Sequence, residues 1–269
     1  MRIGFIGAGS MASAIARGAV GAGLDGSEML FTDAHGVHAP ALAEATGGTV
    51  AASNADLVLR SDYVVLAVKP HLQTPVIEQI RQAVADHGGV CVLSIAAGRT
   101  LTAMERDFGA PVPLARAMPN VNAQIGQSMT GFCVNERVTD AQVADIRTLL
   151  DSVGRSIAID EADFPVFSAL AGCSPAWVFE IIDGLARAGV KHGLRKQQAV
   201  AIAAQALVGS ATLVLEAAGK EVTPGQLIDQ VTSPGGTTIA GLLAAEEAGL
   251  STSLVKAVDA AVARDRELC

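Results

Sequence analysis

Two short segments hold residues whose types and order could do chemistry. The first is Gly7-Ala8-Gly9-Ser10-Met11-Ala12, reached after only six residues. Glycine at its first position permits a tight turn. Glycine at the third lets backbone approach a pyrophosphate, and the small sixth residue lets helix and strand touch. A helix opening there presents free N–H groups and a positive dipole end to phosphates. A glycine-rich turn without a ligand is the alternative for this segment taken alone. The second segment is Val231-Thr232-Ser233-Pro234-Gly235-Gly236-Thr237-Thr238. Its proline and two glycines set a sharp turn, and a helix opens at the two threonines. The first N–H groups of that helix have no partner within it and suit a small carboxylate, with two hydroxyls alongside. An ordinary capped helix start is the alternative.

Three further groups stand at the ends of apolar runs, where ligands gather in open parallel sheets. Asp33 closes the run Phe31-Thr32-Asp33. A carboxylate there accepts hydrogen bonds from adenine-ribose hydroxyls and repels a 2′-phosphate, which favours NADH over NADPH. The other reading of Asp33 is a turn residue. Ala67, Val68, Lys69 and Pro70 close a second run, where Lys69 either meets a ribose or phosphate or is simply solvated. Ile95, Ala96 and Ala97, within Ser94-Ile95-Ala96-Ala97-Gly98, leave room for a nicotinamide ring. The histidines, His35, His38, His71, His87 and His192, sit in loop-like or helix-end contexts and take no catalytic role. No Cys/His spacing points to a metal.

The elements that must position these groups change character along the chain. Apolar runs predict strands at 2–6, 29–32, 63–68, 90–95, 113–117, 129–134 and 156–159, with helical patterns between them, as at 11–22 and 76–85. That alternation implies a parallel α/β sheet, a Rossmann-type dinucleotide-binding domain over residues 1–160. Strands stop near Asp160, and residues 161–269 read as an all-α domain. Ser174 is placed to cap a helix over 175–191, with Pro175 in its first turn and Gly193 at its end. A second helix runs over 197–218 to Gly219, a short third starts at Thr223-Pro224, and others cover 237–248 and 253–268. The helix over 197–218 is apolar nearly all round, so protein must surround it. A domain of about 110 residues can barely enclose such a helix, which implies cover from a second subunit; a monomeric bundle is the alternative.

Composition narrows the partners. Half the residues are apolar but only 3% are aromatic, so Ala, Val, Leu and Ile must build the core. A net charge of −8 argues against nucleic acid, whose binding rewards clustered Lys and Arg, and gives no basic patch for an anionic membrane. Cys91, Cys133, Cys173 and Cys269 form no CxxC pair and read as reduced thiols of a cytoplasmic protein. The N-terminus has neither a signal-peptide nor a transit-peptide pattern.

Taken together, the motifs resemble the pyrroline-5-carboxylate reductase family along the whole chain. The residues concerned are GFIGAGSMA at 4–12, LAVKP at 66–70, SIAAG at 94–98, RAMPN at 116–120, AGVKHGL at 188–194, VTSPGGTT at 231–238 and RDREL at 264–268. The resemblance implies NADH- or NADPH-dependent reduction of (S)-1-pyrroline-5-carboxylate to L-proline, by a homodimer that can assemble further into a decamer. It implies cofactor contacts at Gly7, Ala8, Gly9, Ser10, Met11, Asp33, Asn54, Ala67, Val68, Lys69, Pro70, Ile95, Ala96 and Ala97. It assigns the substrate carboxylate to Ser233 and the turn through Gly235, Gly236, Thr237 and Thr238, and the ring-nitrogen contact to the Thr238 hydroxyl. It also places Glu161 near the substrate. Two departures stand out: Gly172-Cys173-Ser174-Pro175-Ala176-Trp177 replaces the family's GSGPAY, and Lys220-Glu221-Val222-Thr223 lengthens the loop before Pro224. A related reductase of 3-hydroxy acids, which would want a lysine such as Lys191, and a non-catalytic nucleotide sensor are the competing functions.

Overall fold

The computed structural model describes residues 1–268; Cys269 lies outside them. The chain forms two compact units, residues 1–172 with the terminal stretch from Ala261, and residues 173–260.

The first unit is built on an eight-stranded sheet. Its strands are β1 (Ile3–Ile6), β2 (Met29–Thr32), β3 (Thr49–Val50), β4 (Tyr63–Leu66), β5 (Cys91–Ser94), β6 (Leu114–Met118), β7 (Ser128–Val134) and β8 (Gly154–Ala158), ordered β3-β2-β1-β4-β5-β6-β7-β8. Seven of them answer the apolar runs. β3 has two exposed residues, too few to show a pattern. Pairing is parallel throughout except between β6 and β7, which differs from the all-parallel expectation. The reason is connection length: a parallel return needs a crossover of a dozen or more residues, and residues 119–127 supply only a 3₁₀ turn.

Helices α1 (Ser10–Gly21), α2 (His38–Thr46), α3 (Asn54–Leu59), α4 (Pro70–His87), α5 (Leu101–Phe108) and α6 (Asp140–Asp151) cover both sheet faces. Side chains alternate across a strand, so β1 sends Ile3 and Phe5 to the side of α1, α2 and α6, and Ile6 to the side of α3, α4 and α5. Both sides are closed, which explains why β1, β2, β4 and β5 are buried along their full length. Phe5 stacks on Phe31 across the β1–β2 pair at 5.5 Å. Each such side chain contributes about 1.5–3 kcal/mol by leaving water.

A short helix, α7 (Phe164–Phe167), leads into a π-helical segment, Ser168–Cys173, and from there the backbone passes directly into α8 (Ser174–Lys191). Ser174 therefore does not cap α8 as expected. The residue before it, Cys173, is already helical, so the helix has no extended start for a serine to close. Pro175 does lie in the first turn, and Gly193, with φ +97°, turns the chain out of the helix.

In the second unit α8 pairs with α9 (Lys196–Ala218), followed by α10 (Pro224–Val231), α11 (Thr237–Glu247) and the first half of α12 (Leu250–Leu268), whose residues from Ala261 on belong to the first unit. A Cβ on Gly189 would sit 3.0 Å from that of Ala199, so small residues set the close approach of α8 and α9. Asp183 ties them by ion pairs to Arg187 on its own helix and to Lys196 on α9. Thr223 and Gln226 form the capping box that starts α10. α9 ends at Gly219 as expected, but the left-handed residue of the turn is Glu221, φ 58°, in the longer loop. Only Ala199 and Ala203 of α9 are buried; Val208 and Leu213 are 60% and 59% exposed. Glu161–Lys191 and Lys196–Ala218 are long and apolar enough to cross a membrane by length and composition alone.

Candidate active site

The strand order reverses direction between β1 and β4, and the chain leaves the carboxyl ends of both strands there. In open sheets this crevice is where ligands bind. A cavity of about 1320 Å³ occupies it. All fourteen residues expected to meet the cofactor line this cavity: residues 7–11, Asp33, Asn54, residues 67–70 and residues 95–97.

The local geometry suits a dinucleotide. Gly7, at φ +100°, donates its N–H to the Thr32 carbonyl at 2.9 Å, and a Cβ there would lie 2.8 Å from the Ala67 carbonyl oxygen. Only glycine fits this turn. A Cβ on Gly9 would meet nothing within 4 Å, so the backbone at the start of α1 faces open space. No side chain caps α1, which leaves its first N–H groups for a phosphate. Ala12 is buried against the sheet, as its position in the motif requires.

Asp33 is more constrained than its sequence position suggests. Its Oδ2 accepts the N–H groups of Val37 at 3.1 Å and His38 at 2.8 Å, and Oδ1 accepts that of His35 at 3.4 Å. These bonds, led by His38, hold the carboxyl below its usual range, while its slight burial works the other way. The turn reading of Asp33 holds: Oδ2 is taken by two backbone donors, while Oδ1 keeps acceptor capacity beside the cavity. Asn54 bridges two elements, accepting the Thr32 hydroxyl at 2.7 Å and donating to Gln79 at 2.9 Å. Lys69 ends the loop before α4 and is exposed at the cavity wall.

The far end of the cavity includes residues that sequence reasoning left without a role. Met118, Pro119 and Asn120, just beyond β6, line it together with Gly172 of the π-helical segment. Asn120 is buried; its Nδ2 donates to the Ala171 carbonyl at 2.8 Å, and its Oδ1 accepts the Asn122 N–H at 3.1 Å. The strand-end rule already applied to Lys69 and Ser94 would have found Met118 to Asn120.

Glu161 stands outside the lining of this cavity. Its Oε1 accepts the Leu101 N–H at 2.8 Å and pairs with Arg116 at 3.2 Å. Burial pushes the nearby Cys133 thiol up to about 12, with Glu161 adding to the rise and Arg116 opposing it. Cys91 is buried, and its thiol is likewise pushed up to about 12 by desolvation.

In the second unit, the turn after α10 has the predicted form. Gly235 is left-handed at φ +69°, the Gly236 N–H closes onto the Ser233 carbonyl at 3.0 Å, and Gly236 opens α11 with no side-chain cap. Ser233, Gly235, Thr237 and Thr238 are exposed, so the first N–H groups of α11 and both hydroxyl types are open to a ligand. A Cβ on Gly236 would fall 2.4 Å from the Ser233 hydroxyl oxygen, so glycine leaves that hydroxyl its place. Lys191 ends α8 on the exposed surface.

Comparison with known proteins decides between the readings. Residues 161–268 match the model described as pyrroline-5-carboxylate reductase dimerisation, and residues 2–98 match NADP oxidoreductase, coenzyme F420-dependent. A pyrroline-5-carboxylate reductase of Glycine max is 38% identical over 99% of this chain and 95% of its own. The chain belongs to the pyrroline-5-carboxylate reductase family. The crystal structure of the Coxiella burnetii reductase of this family superposes with a TM-score of 0.93 at 33% identity, covering 99% of this chain and 98% of that one. That of Plasmodium falciparum pyrroline carboxylate reductase, with NADP bound, gives 0.87 at 27% identity, covering 100% and 98%. As a family member the chain is an oxidoreductase with a Rossmann-type nucleotide-binding domain followed by a helical dimerisation domain. The matched dimerisation region starts at residue 161, eleven residues before the first compact unit gives way to the second.

Proposed function

We propose that this chain reduces the ring imine of (S)-1-pyrroline-5-carboxylate to L-proline with NADH or NADPH, the last step of proline synthesis. The observation that carries this reading is end-to-end similarity to named reductases of that imine in a chain that keeps both the open cradle at α1 and the open turn at α11.

The bound nicotinamide supplies the hydride. The chain's own residues do the rest. The N–H groups of Gly9, Ser10 and Met11 hold the pyrophosphate, Asp33 accepts from the adenine ribose, and Ile95 to Ala97 leave space for the nicotinamide ring. The first N–H groups of α11, with Ser233, hold the substrate carboxylate. Hydride transfer needs near-attack positioning of the imine carbon, and holding the carboxylate is what such an anchor would contribute to it. Thr238 hydrogen-bonds the ring nitrogen and donates or relays the proton that this atom keeps. The carbon gains a hydride and the nitrogen a proton, so the reaction needs no metal and no strong base. The carboxylate of Asp33, clamped beside the ribose, favours NADH over NADPH.

The helical unit supports assembly as a homodimer, and the family resemblance extends this to a decamer. A charge of −8 and the absence of a basic cluster in the sequence support a cytoplasmic enzyme that binds neither nucleic acid nor membrane. The test is direct: oxidation of NADH and NADPH at 340 nm in the presence of pyrroline-5-carboxylate, with proline identified as product. Oxidation with a 3-hydroxy acid's keto partner instead, or none with either, overturns the proposal.

A further inference from the structure

We infer that Glu161 is a positioning residue for the loop under the nicotinamide end of the cavity, and not a ligand of the substrate. This inference rests on the cofactor reading above. Residues 95–97, which line the cavity, lie in the connection from β5 to α5. That connection is held at both ends. At its start Ser94 accepts the Gln73 Nε2–H at 2.7 Å, both side chains fully buried. At its far end the N–H of Leu101, the first residue of α5, donates to Glu161 Oε1 at 2.8 Å.

Glu161 is itself held in place. Its Oε1 also receives Arg116, whose side chain is 4% exposed and lies with its guanidinium carbon 4.0 Å over the buried Phe164 ring. Arg116 stands on β6 directly opposite Ser94 on β5. The pair therefore fixes one end of the loop to the strand beside its other end. A substrate role fits poorly with this geometry. Its Oε1 is already shared by two donors, the Leu101 N–H and the Arg116 guanidinium, and a carboxylate facing a carboxylated substrate would repel it.

Removing Glu161 alone strands a buried guanidinium, so the comparison is made where that charge is gone. Arg116→Met/Glu161→Gln keeps an acceptor for the Leu101 N–H; Arg116→Met/Glu161→Ala does not. Dissociation constants are measured on the full chain for NADH, by fluorescence titration, and for ADP-ribose, which lacks the nicotinamide. The glutamine variant is expected to bind NADH within about twofold of the parent, and the alanine variant roughly tenfold more weakly, the worth of one hydrogen bond. ADP-ribose should bind alike in all three. Equal NADH binding by the two double variants overturns the inference. So does a parallel loss of ADP-ribose, which marks general destabilisation, or a raised KM for the imine with NADH binding unchanged, which returns Glu161 to the substrate. Because the titrations read binding and not turnover, failure of the proposed reaction leaves this test intact. A parent that binds no NADH would instead sink the cofactor reading.

Discussion

Phe5 and Phe31, in the first unit, are completely buried, whereas Val208 and Leu215 on α9 of the second are 60% and 58% exposed. Both units use apolar residues at high density. In the first, a sheet covered by helices on both faces removes those residues from water within one chain. In the second, the longest helix packs small residues against α8 and leaves large apolar side chains such as Ile202, Val208, Leu213 and Leu215 exposed. A helix of that kind reaches its stable state only when something else covers it. The first unit is thus built to present a cavity, and the second is built to meet another copy of the chain.

The sharpest way to break that contrast is on α9. Val208 and Leu215 are seven residues apart and share a helix face. In an isologous dimer each counts twice, so Val208→Asp/Leu215→Asp removes four buried side chains, about 6–12 kcal/mol. Sedimentation equilibrium is expected to show a dimer for the parent and monomer or aggregate for the variant. A folded, fully active monomer of the parent at low concentration would refute the contrast.

Next in size is the chemistry of the second unit. Thr238→Ala removes a hydroxyl and leaves the N–H groups of α11, so kcat should fall by roughly tenfold to a thousandfold. NADH binding should stay as it was. Ser233→Ala should act mainly on KM for the imine, as lost ground-state binding. Steady-state kinetics with a parallel NADH titration checks both. Unchanged kcat in Thr238→Ala would return the proton to solvent.

Gly7→Ala probes the first unit alone. The added Cβ meets the Ala67 carbonyl oxygen at a left-handed position, at a strain of about 1–3 kcal/mol. NADH affinity should drop about fivefold to a hundredfold while the dimer persists in sedimentation. Dissociation of the dimer would show that the two units are not separable in this way.

The smallest effect is expected at Asp33. kcat/KM should be higher with NADH than NADPH, and Asp33→Asn, which removes the charge, should narrow the ratio by roughly threefold to tenfold. Because its backbone donors lower the folded carboxyl's pKa, the stability Asp33 contributes is present above the ordinary carboxylate range and lost as pH falls through the lowered value. Loop order at residues 34–38, followed by amide exchange, should therefore persist to lower pH in the parent than an unassisted carboxylate would allow. A higher kcat/KM for NADPH in the parent would sink the assignment.

Much of this protein was legible from its residues because the signals are local. A glycine that must adopt φ +100°, a proline in a first turn and an apolar run buried on two faces each leave a mark within a few positions. Gly7, Pro175 and β1 could be read for that reason. So could the all-round apolar character of α9, since exposure of such a helix is unfavourable in any fold. The tertiary structure alone decided the rest. The pairing of Glu161 with Arg116 and Leu101 joins residues 45 and 60 positions apart, and no spacing rule connects them. The π-helical segment at Ser168–Cys173, which brings Gly172 to the cavity, has no compositional signature. The antiparallel turn between β6 and β7 followed from how few residues separate them, a constraint visible only once both strands are in one sheet. Local backbone preference and burial are properties of neighbouring residues and can be read in order. A hydrogen bond between distant segments exists only after the sheet has brought them together.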